Sequence, residues 1–130
     1  MKELTHQWVM KAENDFKIAV KEMKSDEPIY DAICFHSQQC VEKYLKAILQ
    51  ENDHYIGKIH DLWKIAKDCI LYLREVQEFK EKLVNLSEYA VEVRYPGVET
   101  TEEEARESFE TCKEIRRLVR KYFGLEVENG

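Results

Sequence analysis

Glycine and proline are scarce, four and two in 130 residues, a composition that suits a helical bundle and excludes disorder when 44% of the chain is hydrophobic. No strand pattern, repeat or low-complexity tract competes with helices. No apolar run approaches the roughly 18 to 20 residues of a membrane span. The opening Met1-Lys2-Glu3-Leu4 has no signal-peptide core, so a cytoplasmic location is expected. Positive charge is not in excess either: the net charge is -6, so the protein as a whole repels DNA and anionic membranes, and any anion site has to be a local basic patch. Cys34, Cys40, Cys69 and Cys112 show no C-x-x-C spacing, which argues against zinc and for buried thiols in a reducing compartment. With this length, one domain over residues 1–130 is expected.

What is present is helical periodicity. Leu4, Trp8, Ala12, Phe16, Ala19, Val20 and Met23 recur every three or four residues and predict a first helix over about 4–23. It stops at Lys24-Ser25-Asp26-Glu27-Pro28. A second helix ends near Gln50 to His54, followed by a polar loop around Asn52-Asp53 and Gly57. A third begins at His60-Asp61-Leu62 with Asp61 as N-cap. The apolar residues between Leu71 and Arg94 predict a break near Leu73 to Val76 and a fourth helix after it. Arg94-Tyr95-Pro96-Gly97 ends that helix, and Thr101-Glu102-Glu103-Glu104 reads as a capping box opening the last one, with Gly124 as its stop.

The second helix carries the candidate chemistry. Tyr30, Ile33, Cys34, Ser37, Val41, Tyr44, Leu45 and Ile48 form its buried stripe, while Gln39, Lys43 and Lys46 fall together on another face. Such a row of donors either meets an anion or is simply solvated. Glu51-x-x-His54 has the spacing of di-iron bundles, but those need a second such pair and two more glutamates, so no metal is expected. His6, His36, His54 and His60 are dispersed, and spacing alone sets none beside a nucleophile. Arg94-Tyr95-Pro96 offers a bidentate phosphate clamp and a stacking ring, or a helix-end arginine bonding free carbonyls.

Trp8, Ala12, Asp15 and Phe16, Cys34-Phe35, Gln38-Gln39-x-x-Glu42-Lys43-x-Leu45-Lys46-Ala47, His60-Asp61-Leu62 and Arg94-Tyr95-Pro96, in this order, resemble the HEPN domain, the higher eukaryotes and prokaryotes nucleotide-binding family. The resemblance implies an all-α, antiparallel four- to five-helix up-and-down bundle, usually a homodimer, encoded beside a minimal nucleotidyltransferase with which it forms a complex or a toxin-antitoxin pair. Some HEPN branches are ribonucleases with an Arg-x(4-6)-His motif; here no histidine follows Arg94.

The expectation is therefore a non-catalytic nucleotide-binding module without cofactor, taking ATP or GTP class ligands. Gln39, Lys43, Lys46, His60, Asp61 and Arg94 would line its groove and Tyr95 would stack on a base. The alternatives are a metal-independent ribonuclease toxin that recruits His36 or His60, and a helical subunit that binds only protein partners.

Overall fold

The computed structural model describes residues 1–92 and 95–127, so Arg94 lies outside the described residues. The described chain forms α1 (Glu3–Met23), α2 (Tyr30–Glu51), α3 (Leu62–Cys69), a 3-10 turn (Arg74–Phe79), α4 (Lys80–Glu92) and α5 (Glu102–Tyr122). Strands are absent among the described residues, and no described helix is long and apolar enough to cross a membrane. The architecture is an all-α helical bundle.

Helix ends form where polar side chains can satisfy the backbone groups a helix leaves open. The Asp61 carboxylate accepts from the Lys64 N–H at 3.1 Å, which starts α3. Thr101 and Glu104 exchange hydrogen bonds in a capping box at the start of α5. Past its C-terminus, Gly124 sits at φ +70°, a left-handed conformation that lets the chain turn back and that a side chain would strain. The break between α3 and α4 has neither glycine nor proline. Leu73, Val76 and Phe79 recur every three residues there, the period of a 3-10 turn, and Val76 is fully buried.

The four long helices alternate in direction. Trp8 meets Gln50 and Asp15 meets Lys43, so α1 and α2 are antiparallel. Cys34 meets Ser108 and Asn52 meets Tyr122, so α5 runs alongside α2 in the same direction. Lys82 meets Glu114 and Asn85 reaches Glu107, which makes α4 antiparallel to α5. Between α2 and α4 the chain makes an excursion. Residues 52–61 climb back beside α2, bringing His60 level with Gln38 and Glu42, before α3 descends and sets Cys69 against the Leu45 carbonyl.

The second helix is the axis of this arrangement and packs on all four other helices. Val41, Tyr44, Leu45, Ala47 and Ile48 are wholly enclosed. The four cysteines are free and buried, and burial raises the Cys34 thiol to about 11, so they act as small apolar core residues.

One polar network crosses the α1–α5 seam. Arg116 grips Glu13 in a bidentate pair at 2.7 and 2.8 Å and lies over the Phe16 ring, 4.3 Å from its centroid. Tyr44 donates to the same carboxylate, and Arg120 reaches the Tyr44 hydroxyl at 3.1 Å. Burial alone would push the Glu13 carboxyl up. Its hydrogen bonds from Arg116 and Tyr44, with the charges of Arg116 and Arg120, outweigh that and hold it below its ordinary value of 4.5.

A carboxyl whose folded pKa is depressed stabilises fully above its unfolded value and loses that contribution as the pH falls through the folded one. Replacing Glu13 by Gln is therefore expected to cost about 2 kcal/mol at pH 7, the scale of charge-assisted hydrogen bonds. The cost shrinks as the pH is lowered from about 4.5, where the wild type itself loses the ion pair. Urea denaturation of both proteins at pH 7 and at pH 3 measures the difference.

Candidate functional site

A band of polar residues runs along α2 between α1 and the climbing loop. At its border with α1, Asp15 is enclosed within an otherwise apolar stripe of Ala12, Phe16 and Ala19. One Asp15 oxygen lies 2.8 Å from His36 Nδ1 and the other accepts from Lys43 Nζ at 2.6 Å. At the opposite border, Glu42 is only 4% exposed. Its Oε2 accepts from Lys46 Nζ at 2.9 Å and lies 3.0 Å from His60 Nδ1, while its Oε1 accepts from Gln38 at 3.1 Å. Gln39 joins this side by donating to the Gln38 carbonyl at 2.7 Å.

The two borders repeat one pattern, a buried carboxylate shared by one lysine and one histidine. An ionised carboxylate only accepts hydrogen bonds, so the imidazole nitrogen facing it, Nδ1 in both histidines, carries the hydrogen. The other nitrogen, Nε2, is the one left for a ligand. For His60 that nitrogen is on an open surface, since the side chain is 73% exposed. The lysine ammoniums differ. Lys43 is partly exposed and has two more N–H groups to offer. Lys46 is 6% exposed, with Trp8 against it at 5.7 Å from the ring centroid and with the loop residues Tyr55, Ile56 and Ile59 lining the same crevice.

These placements sort the residues expected from the sequence. Gln39, Lys46 and His60 meet in one hydrogen-bonded cluster centred on Glu42, and Lys43 belongs to the neighbouring Asp15 cluster on the same helix. Within the row of donors expected on α2, Lys46 departs from the expectation of an open face: it is buried and paired with its i−4 neighbour, because the returning loop and Trp8 cover it. Asp61 is engaged as the α3 cap. Tyr95 is exposed, with its N–H and carbonyl bonding within its own turn. Glu51 and His54 do not face a common point: Glu51 accepts from the Lys2 N–H and His54 pairs with the Tyr72 hydroxyl. Among the described residues no group of three or more His, Cys, Asp or Glu side chains could hold a metal ion.

Sequence reasoning passed over Asp15, Gln38 and Glu42 as site residues. Each had a signal. Asp15 is a carboxylate inside an apolar helix stripe, a position carboxylates avoid unless paired. Glu42 stands four residues before Lys46, the spacing of a helical ion pair.

A buried carboxylate that holds a buried ammonium should matter far more to stability than its exposed histidine partner. Glu42→Gln is expected to cost about 3 kcal/mol, because it leaves Lys46 charged and enclosed, whereas His60→Ala costs about 1 kcal/mol, the scale of one hydrogen bond, since Lys46 and Gln38 still hold the carboxylate. Urea unfolding of the two variants distinguishes them.

Comparison with known proteins agrees with this architecture. A family model for the HEPN domain matches residues 5–122, from the first turn of α1 to the last residue of α5. A curated protein of Methanocaldococcus jannaschii named "Putative toxin MJ1304" is 28% identical, over 88% of this chain and 85% of its own length. No solved structure matches the chain significantly. With the family model spanning nearly all of the bundle, this chain belongs to the HEPN domain family.

Proposed function

We propose that this chain is the HEPN subunit of a toxin-antitoxin pair, a nucleotide-binding module that is not itself catalytic and that works as a homodimer beside a minimal nucleotidyltransferase. The observation that carries the nucleotide part is the Asp15, His36 and Lys43 cluster in the groove between α1 and α2. Asp15 holds Lys43 and His36 in place from below, and phosphate oxygens would take the remaining Lys43 N–H groups. Because the chain carries a net charge of -6, such a site depends on local geometry and not on the long-range field. Gln39 lies along the same α2 face one turn from Lys43, where it would bond a phosphate oxygen, and His60 closes the far border. The toxin-antitoxin part is supported by family membership and by the relative named as a toxin. The dimer and the nucleotidyltransferase partner rest on the family resemblance.

A second reading has one observation in its favour. Glu42 orients His60 through Nδ1 at 3.0 Å, which leaves a solvent-facing Nε2 able to accept a proton, as a general base acting on a ribose 2'-hydroxyl must. That arrangement would serve a metal-independent ribonuclease even though no histidine follows Arg94.

Two measurements separate the readings. Calorimetry is expected to show saturable binding of ATP or GTP by the wild type and a loss of roughly tenfold or more in Lys43→Ala, the scale of one charge-assisted contact; no binding by the wild type would remove the nucleotide reading. Incubation with single-stranded and structured RNA in EDTA is expected to leave the RNA intact. Cleavage that disappears in His60→Ala would establish the ribonuclease instead.

A further inference from the structure

Between the start of α1 and the end of α2 lies an opening of about 340 Å³ lined by Leu4, Gln7, Trp8, Lys11 and Gln50, a size within the usual span of small-ligand sites, about 300 to 1,000 Å³. Its wall is apolar, from Leu4 and Trp8 one helical turn apart. Its polar groups are set in a particular way. Trp8 Nε1 donates to the Gln50 carbonyl at 3.3 Å, which fixes the indole and leaves the Gln50 amide N–H groups as donors. Gln7 donates to Glu3 at 3.3 Å, which leaves its carbonyl as an acceptor. The opening thus combines an aromatic ring, one amide donor, one amide acceptor and the Lys11 cation.

These features match a nucleotide base with adjacent donor and acceptor atoms. Adenine has that edge, an amino donor beside a ring-nitrogen acceptor, and glutamine amides pair with it well. Adenine offers such a pair on two edges, its amino group beside N1 and beside N7, whereas guanine offers it only at O6 and N1–H and presents two acceptors on its major-groove edge. Position supports the same occupant. Asp15 follows Trp8 by seven residues on α1, about 10 Å at 1.5 Å per residue, so a nucleotide with its base at Trp8 would bring its phosphates past Lys11 to Lys43. We propose that the Trp8 opening is the base subsite for an adenine nucleotide, with Trp8 as the stacking ring and Gln7 and Gln50 reading the base edge. This rests on the nucleotide reading of the Asp15, His36 and Lys43 groove and adds to it the base that is selected and the residues that select it.

The chain has two tryptophans, so Trp63→Phe leaves Trp8 as the sole indole reporter. ATP, GTP and inorganic tripolyphosphate are titrated into that variant by fluorescence and calorimetry. Expected are saturable quenching by ATP, binding of ATP about tenfold tighter than GTP, and binding of tripolyphosphate without quenching. Trp8→Leu should weaken ATP by roughly 5- to 100-fold, the worth of one base-aromatic stack, and leave tripolyphosphate unchanged. Gln50→Ala, which removes no apolar wall, should abolish the preference for ATP over GTP, and it keeps the test open if Trp8→Leu fails to fold. ATP binding with unmoved Trp8 emission and no preference over GTP would overturn the base subsite while the phosphate groove stands. If neither ATP nor tripolyphosphate binds, both readings fall.

Discussion

A helix enclosed on most of its circumference cannot leave a charge unmatched, and α2 is such a helix. It packs on every other helix of the bundle, yet it contains Gln38, Glu42 and Lys46 at nearly full burial. Removing an ammonium or a carboxylate from water costs several kcal/mol unless a partner of opposite charge and further hydrogen bonds replace the solvent. The solution here is reciprocal. Glu42 neutralises Lys46 one turn away, and its other contacts come from Gln38 and from His60, which the loop after α2 delivers from outside the helix. The route of residues 52–61 back along α2, otherwise a long detour, supplies the group that completes the carboxylate's shell and covers the lysine stem.

The same requirement recurs at the other seams. Asp15 is buried between α1 and α2 because His36 and Lys43 meet both of its oxygens. Glu13 is held at the α1–α5 seam by Arg116, Tyr44 and Arg120. The seams differ in what they leave over. Around Glu13 each Arg116 nitrogen is engaged, two by the carboxylate and the third by the Val127 carbonyl, so that network ties helices and chain end together. Around Asp15 and Glu42, Lys43 and His60 remain open to solvent and retain free hydrogen-bonding capacity. That surplus makes the α2 face the better candidate for a ligand than the more basic α5.

Family membership gives the bundle its context, but the arrangement of polar groups is what makes a nucleotide reading concrete. The phosphate end of the proposed groove rests on cations positioned by a buried carboxylate. Its base end rests on an indole positioned by a glutamine. Both are held by helices α1 and α2, which form the most extensive pairing in the bundle, so the site is built on rigid elements and not on loops.

Periodicity was sufficient for the helices themselves. The apolar stripes of α1, α2 and α5, the Asp61 cap and the Thr101 capping box are local features, readable because each depends on residues within one or two turns. The 3-10 turn at Arg74–Phe79 was legible only as a break, since a three-residue recurrence this short resembles a helical one. The candidate site was partly legible. Gln39, Lys43, Lys46 and His60 stand out by type and spacing, but whether a lysine stays open to solvent depends on what covers it. Both Lys43 and Lys46 are paired with a carboxylate, and they differ in exposure because Trp8 and the returning loop lie against Lys46. The sequence by itself determined the main inward stripe of each helix, because helical geometry sets that within a turn, but not its margins, where Leu4 is exposed and Arg116 is buried. Only the tertiary structure decided which carboxylate meets which cation, because those partners, Asp15 with Lys43 and Glu42 with His60, are separated by 28 and 18 residues and are brought together by packing alone.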